Sequence, residues 1–333
     1  MRARRLIQVV DSHTEGMPTR VIVGGTPPVP GATIAEQQVW ALRHLGELRG
    51  LVVREPRGHD AMFGALLLPA TRPDADFGVI FFNTTSTRPM CGHGIMGVAT
   101  VLIETGMVAA VEPRTMVRLD TPAGLVTADL VVEKAHAKHV TLTNVPSYVH
   151  TRDLQIQLPG WGGVTVDVAY GGNFYAIVDI GQFGLPLDPK HRARLTDLGV
   201  ELMAAVNEAC SFGHPTDATV IDLRHVEFTA PATPDRRARN VVVAAPGYVD
   251  RSPCGTGTSA RMALLHATGR LDIGDRFEHE SIIGTRFIGQ VAGTTTVREF
   301  PAIIPTITGR AWITATAQLV LDPNDPFPAG FLL

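Results

Sequence analysis

Short apolar or alternating runs separated by turn residues recur along the chain: GLVVREP, FGVIFFN, TMVRLDTPAGLVTADLVV, HVTLTNV, FYAIVDI, NVVVAAPG, TRFIGQV and AWITATAQLVL. Each reads as a β-strand or hairpin bounded by turn signals. Three stretches read as helix. One spans 192–211, and the other two follow the motifs CGHG (from 91) and CGTG (from 254). The stretch IMGVATVLI is apolar on all sides, as expected of a helix buried in a domain centre. TSARMALLHA is less uniformly apolar. Gly106 and Gly269 stop the two helices, in the position of a glycine C-cap.

These two helices reveal a duplication. CGHGIMGVATVLIETG (91–106) and CGTGTSARMALLHATG (254–269) align without gaps and match at six of 16 positions, including the Cys, both glycines of Cys-Gly-x-Gly and the closing Thr-Gly. A proline-containing turn precedes each, RPM in one and RSP in the other. The pattern predicts an α+β fold of two pseudo-symmetric halves, each a curved β-sheet or barrel around a central helix. The first half is expected over 1–126, completed by the C-terminal segment 318–333. The second half is expected over 127–317, with a crossover near 126–140 and an active site in the cleft between the halves.

Composition narrows the functional classes. The 333 residues are 45% hydrophobic and 18% charged, and the formal net charge is −3. Neither nucleic acid nor an anionic membrane surface is an expected partner. No apolar run approaches the roughly 18 residues of a membrane span, and the N-terminal apolar stretch is too short and interrupted for a signal peptide. The expectation is a cytoplasmic protein. Three cysteines, Cys91, Cys210 and Cys254, are too few and oddly numbered for a disulfide framework, and no pair has zinc-ligand spacing. Only three lysines occur, Lys134, Lys138 and Lys190, all in polar surroundings. That argues against pyridoxal phosphate, which needs a lysine in its site. No metal and no cofactor are expected.

The two Cys-Gly-x-Gly motifs carry the chemistry. A helix N-terminus presents unpaired N–H groups and partial positive charge, which eases ionisation of a thiol and holds a carboxylate. The glycines let an anion approach the backbone. Two such helix starts facing one another give a thiol on each side of a carboxylate site. Stereoinversion next to a carboxylate needs that arrangement, because one group removes a proton from one face and another returns one to the opposite face. Preorganised donors at the carboxylate stabilise the carbanionic transition state. Two other readings use the same residues. Cys91 with His93 could form a hydrolase pair, leaving the second motif without a role. A non-catalytic protein could use the same amides to hold an anion. Cys210, next to SFGHP, reads as a small apolar core residue.

With these residues in hand, the sequence resembles the proline racemase family over nearly the whole chain. The blocks that carry the resemblance are DSHTEGMPTRVI (11–22), EPRGHDAM (55–62), PMCGHG (89–94), GGNFYA (171–176), DRSPCGTGTSA (250–260), ESIIGTRF (280–287) and PTITGRAWITATAQ (305–318). The resemblance implies a diaminopimelate epimerase-like fold, often a homodimer, and a small imino-acid substrate. It implies Cys91 and Cys254 as the acid/base pair. Gly92 and His93 would bind substrate beside the first cysteine, and Gly255 and Thr256 beside the second. Asp250 would contact the ring nitrogen and His225 would bind substrate. Asp250 also suits a turn or cap role, and His225 a satisfied core histidine. Phe63, His13, Glu15, His59 and Asp222, the last as an orienter of His225, are secondary candidates. Dehydratase members carry threonine where this chain has Cys254, so the resemblance favours inversion over elimination. The expected reaction is 4-hydroxyproline 2-epimerisation, with proline racemisation as the alternative.

Overall fold

The computed structural model describes residues 5–215, 222–230 and 237–332. In chain order the elements are β1 (Arg5–Thr14), β2 (Met17–Gly24), α1 (Ile34–His44), α2 (Gly46–Val53), β3 (Phe63–Leu68), β4 (Phe77–Phe82), β5 (Thr87–Arg88), α3 (Gly92–Glu104), β6 (Arg114–Thr121), β7 (Gly124–Glu133) and β8 (His136–Thr143). There follow β9 (Ser147–Leu158), β10 (Gly162–Tyr170), β11 (Phe174–Asp179), α4 (Arg192–Ala209), β12 (His225–Thr229), β13 (Arg237–Ala244), β14 (Tyr248–Val249) and α5 (Gly255–Ala267). The last strands are β15 (Arg276–Glu280), β16 (Arg286–Val297), β17 (Phe300–Gly309) and β18 (Ala311–Leu321). The chain forms two compact units, Met1–Leu142 with Gly309–Leu333, and Thr143–Thr308.

The duplication read from two short motifs extends through the whole topology. In the first unit the strands pair in the order β18, β1, β2, β3, β4, β6, β7, β8. In the second they pair in the order β9, β10, β11, β12, β13, β15, β16, β17. The sequence of antiparallel and parallel steps is the same in both. The parallel steps are β2–β3 and β4–β6 in one unit, and β11–β12 and β13–β15 in the other. A parallel step needs a crossover connection. Helices α1 and α2 supply the first crossover and α4 its counterpart; α3 and α5 supply the second. In the second unit β17 also pairs with β9, so that ladder closes into a barrel.

Helices α3 and α5 occupy equivalent central places. Every residue of α3 from His93 to Ile103 is buried, which accounts for its apolar character on all faces. Helix α5 is buried from Gly257 to Leu265 but includes Thr258, Ser259 and Arg261. Its lower apolarity therefore reflects buried polar partners, not exposure. The glycines after the helices, Gly106 and Gly269, have φ of +72° and +68°, as a glycine cap requires.

Two expectations differ from the structure. GLVVREP reads as a strand, but Gly50–Val53 form the buried last turns of α2. A short apolar run buried on every side does not reveal its period. The first unit also extends to Leu142, not 126, because β7 and β8 are consecutive strands of its ladder. For the same reason its C-terminal part begins at Gly309, two residues before β18, and not at 318. The remaining strand runs of the sequence reading fall on β4, β6, β7, β8, β11, β13, β16 and β18, and 192–211 contains α4.

Candidate active site

The first centre lies at the start of α3. Cys91 is the N-cap residue, with extended backbone, and its carbonyl accepts from the Ile95 N–H at 2.8 Å. The thiol is buried, and its Sγ lies 3.4 Å from Nδ1 and 3.6 Å from Nε2 of His93. The His93 ring is held edge-on against Phe63 at 4.7 Å, and its carbonyl accepts from Thr14 Oγ1 at 2.8 Å. The imidazole is therefore fixed against the sulfur. Gly94 is needed for the same close fit, since a Cβ there would stand 2.7 Å from the Phe81 ring and 3.2 Å from Cys91 Sγ.

The second centre repeats this plan at the start of α5 with different neighbours. Cys254 is the N-cap residue, and its carbonyl accepts from the Thr258 N–H at 2.7 Å. Its backbone has φ +64°, a left-handed conformation rare outside glycine, asparagine and aspartate. A short relay holds it there. The Cys254 N–H donates to Ser252 Oγ at 3.1 Å, and Ser252 donates through both N–H and Oγ–H to Asp250 Oδ1, each at 2.8 Å. Cys254 Sγ lies 3.3 Å from the Tyr175 hydroxyl, which is 2.6 Å from Thr256 Oγ1.

The electrostatics of the second thiol are settled by several groups. Burial pushes the Cys254 thiol well up, and the Asp250 carboxylate adds to this. The Tyr175 hydroxyl and the Gly257 N–H oppose it by hydrogen bonding to the sulfur, and Glu227 pushes it up further. Tyr175 is itself raised, by burial and by Cys254, so it remains a hydrogen-bond donor at neutral pH. Replacing Tyr175 by Phe keeps the ring and removes one donor to the sulfur. A net hydrogen bond of about 1 kcal/mol corresponds to a fall of roughly 5-fold in turnover, measured under saturating substrate.

The other sequence candidates divide. His225 begins β12 directly opposite Tyr175 in the parallel β11–β12 register, and the two rings lie 4.9 Å apart. It thus belongs to the Cys254 neighbourhood. Gly92 and Gly255 are the first helical residues after the two cysteines. Phe63 touches His93. Asp222 accepts from Arg224 Nε at 2.8 Å on the surface. His13 stacks on Trp312, and Glu15 accepts from the Arg310 N–H at 3.0 Å. His59 is partly exposed beside Asp60. Cys210 caps the end of α4, partly buried at the edge of the core. Sequence reasoning missed Tyr175, Ser252 and Glu227. GGNFYA and DRSPCG contain the first two, but no spacing rule links position 175 to 254.

Among the described residues, no group of three or more His, Cys, Asp or Glu side chains is placed to hold a metal ion, and no helix is long and apolar enough to cross a membrane.

The model of the family described as proline racemase matches residues 9–332. The chain belongs to the proline racemase family. Within it, a 4-hydroxyproline 2-epimerase of Streptosporangium roseum is 55% identical over 333 residues, with both chains fully covered. A proline racemase of Clostridioides difficile is 43% identical over 334 residues, again covering 100% of each. Among solved structures, a hydroxyproline epimerase from Agrobacterium vitis with bound trans-4-hydroxy-L-proline superimposes with a TM-score of 0.91 at 42% identity, covering 100% of this chain and 97% of that one. The fold of the proline racemase family is therefore the fold of this chain, and the two cysteine centres lie on its duplicated helix starts.

Proposed function

We propose that the protein is a 4-hydroxyproline 2-epimerase, interconverting trans-4-hydroxy-L-proline and cis-4-hydroxy-D-proline through Cys91 and Cys254 without a cofactor. The observation that carries the reading is the repetition of one arrangement: a buried thiol at the N-cap of a central helix, followed by Gly-x-Gly, on two copies of one topology. The similarity to the Streptosporangium roseum epimerase supports the choice of substrate.

In this reaction one sulfur, as thiolate, removes the α-proton, and the other, as thiol, supplies a proton to the opposite face. The first-turn N–H groups at Gly92–His93 and Gly255–Thr256 hold the substrate carboxylate, where negative charge grows in the transition state. Asp250 receives the ring ammonium. The surroundings of the two thiols differ. Cys91 has the imidazole of His93 at 3.4 Å as its nearest polar neighbour. Cys254 is buried near Asp250 and keeps its proton. Each turnover exchanges the roles of acid and base between the two sulfurs.

The 55% identity with the Streptosporangium roseum 4-hydroxyproline 2-epimerase, against 43% with the Clostridioides difficile proline racemase, supports a hydroxylated ring over proline. A site that hydrogen-bonds a substrate hydroxyl discriminates strongly against the analogue lacking it. Incubation in D2O with trans-4-hydroxy-L-proline, cis-4-hydroxy-D-proline, L-proline and trans-3-hydroxy-L-proline, followed by NMR, tests the assignment. The expected result is α-deuterium incorporation with inversion in the two 4-hydroxy compounds. Faster inversion of L-proline would make the protein a proline racemase, and loss of water from the 3-hydroxy compound would make it a dehydratase. Ligand binding without exchange would leave only an anion-binding protein.

A further inference from the structure

Beneath the first turn of α5 lies a titratable group that takes no proton from the substrate and does not touch it in the mechanism above. Glu227, on β12, is fully buried, and its carboxyl has the Asn240 side chain as its hydrogen-bonding neighbour. Its surroundings come from three elements. His279 on β15 places Nε2 3.6 Å from Glu227 Oε1, and its Nδ1 lies 2.9 Å from Thr258 Oγ1. Arg261 on α5 acts on the carboxyl as a buried positive charge. Asn240 on β13 donates to Pro253 O at 2.8 Å, immediately before Cys254 in the chain.

The contact with the reactive turn runs through Gly257. A Cβ at Gly257 would stand 2.8 Å from Glu227 Oε2 and 3.3 Å from Cys254 Sγ, so carboxyl and thiol converge on the same glycine. The N–H of this glycine also donates to the sulfur. The first unit shows that packing does not demand a carboxyl at such a place. There the glycine three residues after the cysteine, Gly94, meets the Phe81 ring. A buried carboxyl costs stability that an apolar side chain would not.

We propose that Glu227 is a positioning residue for Cys254, its carboxyl acting on the thiol across Gly257 to set how readily that sulfur releases its proton. This rests on the assignment of Cys254 as an acid/base group. Burial holds the Glu227 carboxyl up to about 8, with Arg261 and Asn240 pulling it down. His279 is pushed down to about 3 by burial and Arg261, and so is neutral. Near neutrality the carboxyl is mainly protonated and Cys254 is free to cycle. Once Glu227 ionises, its charge and that of Asp250 both oppose formation of the Cys254 thiolate. The protons of Glu227 and Cys254 thus leave as a coupled pair.

The test follows iodoacetamide alkylation of Cys91 and Cys254 separately, by peptide mass spectrometry, from pH 6 to 10. It is run on the full chain and on Glu227→Gln and Glu227→Met, with folding checked by circular dichroism. Loss of the charge is expected to move the Cys254 midpoint down by about one pH unit, raising its alkylation at pH 8 about 10-fold. Cys91 should stay within about 2-fold, which a general loosening of the fold would not allow. In the unsubstituted protein the Cys254 curve should be broader than a single-proton step. An unchanged Cys254 curve in a folded variant overturns the proposal. If neither variant folds, a single-proton curve in the unsubstituted protein does so. None of these readings needs turnover, so a failure of the epimerase assignment shows separately, as absence of α-deuterium exchange.

Discussion

Serine in place of Cys91 or of Cys254 is expected to slow inversion by at least about 100-fold, the usual scale for losing a general acid or base. The loss should be chemical, not structural. Both cysteines are N-cap residues with no side-chain capping bond, and serine is among the better N-cap residues. What disappears is ionisation, since an alcohol at either helix start cannot supply the anion that a thiol can. The two variants should also differ in kind. With Cys254→Ser, Cys91 can still take the α-proton from one face and return deuterium to that face, so exchange outlasts inversion for one enantiomer. Chiral chromatography read beside NMR separates the two events. Near wild-type inversion in either variant would end the two-base mechanism.

The second large effect concerns stability. Leu102→Ala removes a fully buried side chain from the last turn of α3, the helix that carries Cys91 at its start. The expected cost is about 3 kcal/mol, within the range for large-to-small changes in close-packed cores. It is read as a lowered denaturant midpoint with unchanged slope. The side chain lies three turns from the cysteine, so residual activity per folded molecule should stay near that of the parent. A midpoint shift below about 1 kcal/mol would contradict the burial of this helix.

The sequence made legible what rests on unusual residues. Cys-Gly-x-Gly followed by an apolar stretch and a stopping glycine marks both α3 and α5, because caps and close approaches restrict residue type strongly. From these two motifs follow the duplication and the two thiols. The strand reading of Gly50–Val53 failed because burial on all faces overrides a β-like composition. The neighbours of Cys254 stayed hidden for another reason. Tyr175 and His225 become adjacent only through parallel pairing of β11 and β12 across the intervening α4, and no local pattern encodes such a step. Glu227 was legible in part. A lone acidic residue within the strand HVEFT signals a buried carboxyl, but only the fold shows it meeting Cys254 at Gly257.

The twist at Cys254 limits how this scaffold can be redesigned. Its φ of +64° admits an unbranched side chain at some cost and a β-branched one at more, of order 1–3 kcal/mol. A threonine grafted there to turn inversion into elimination would begin from a disfavoured rotamer and a loosened turn. Directed evolution toward dehydration should therefore first accumulate changes along Asp250–Ser252 that relax the peptide, before the swap at 254 becomes productive.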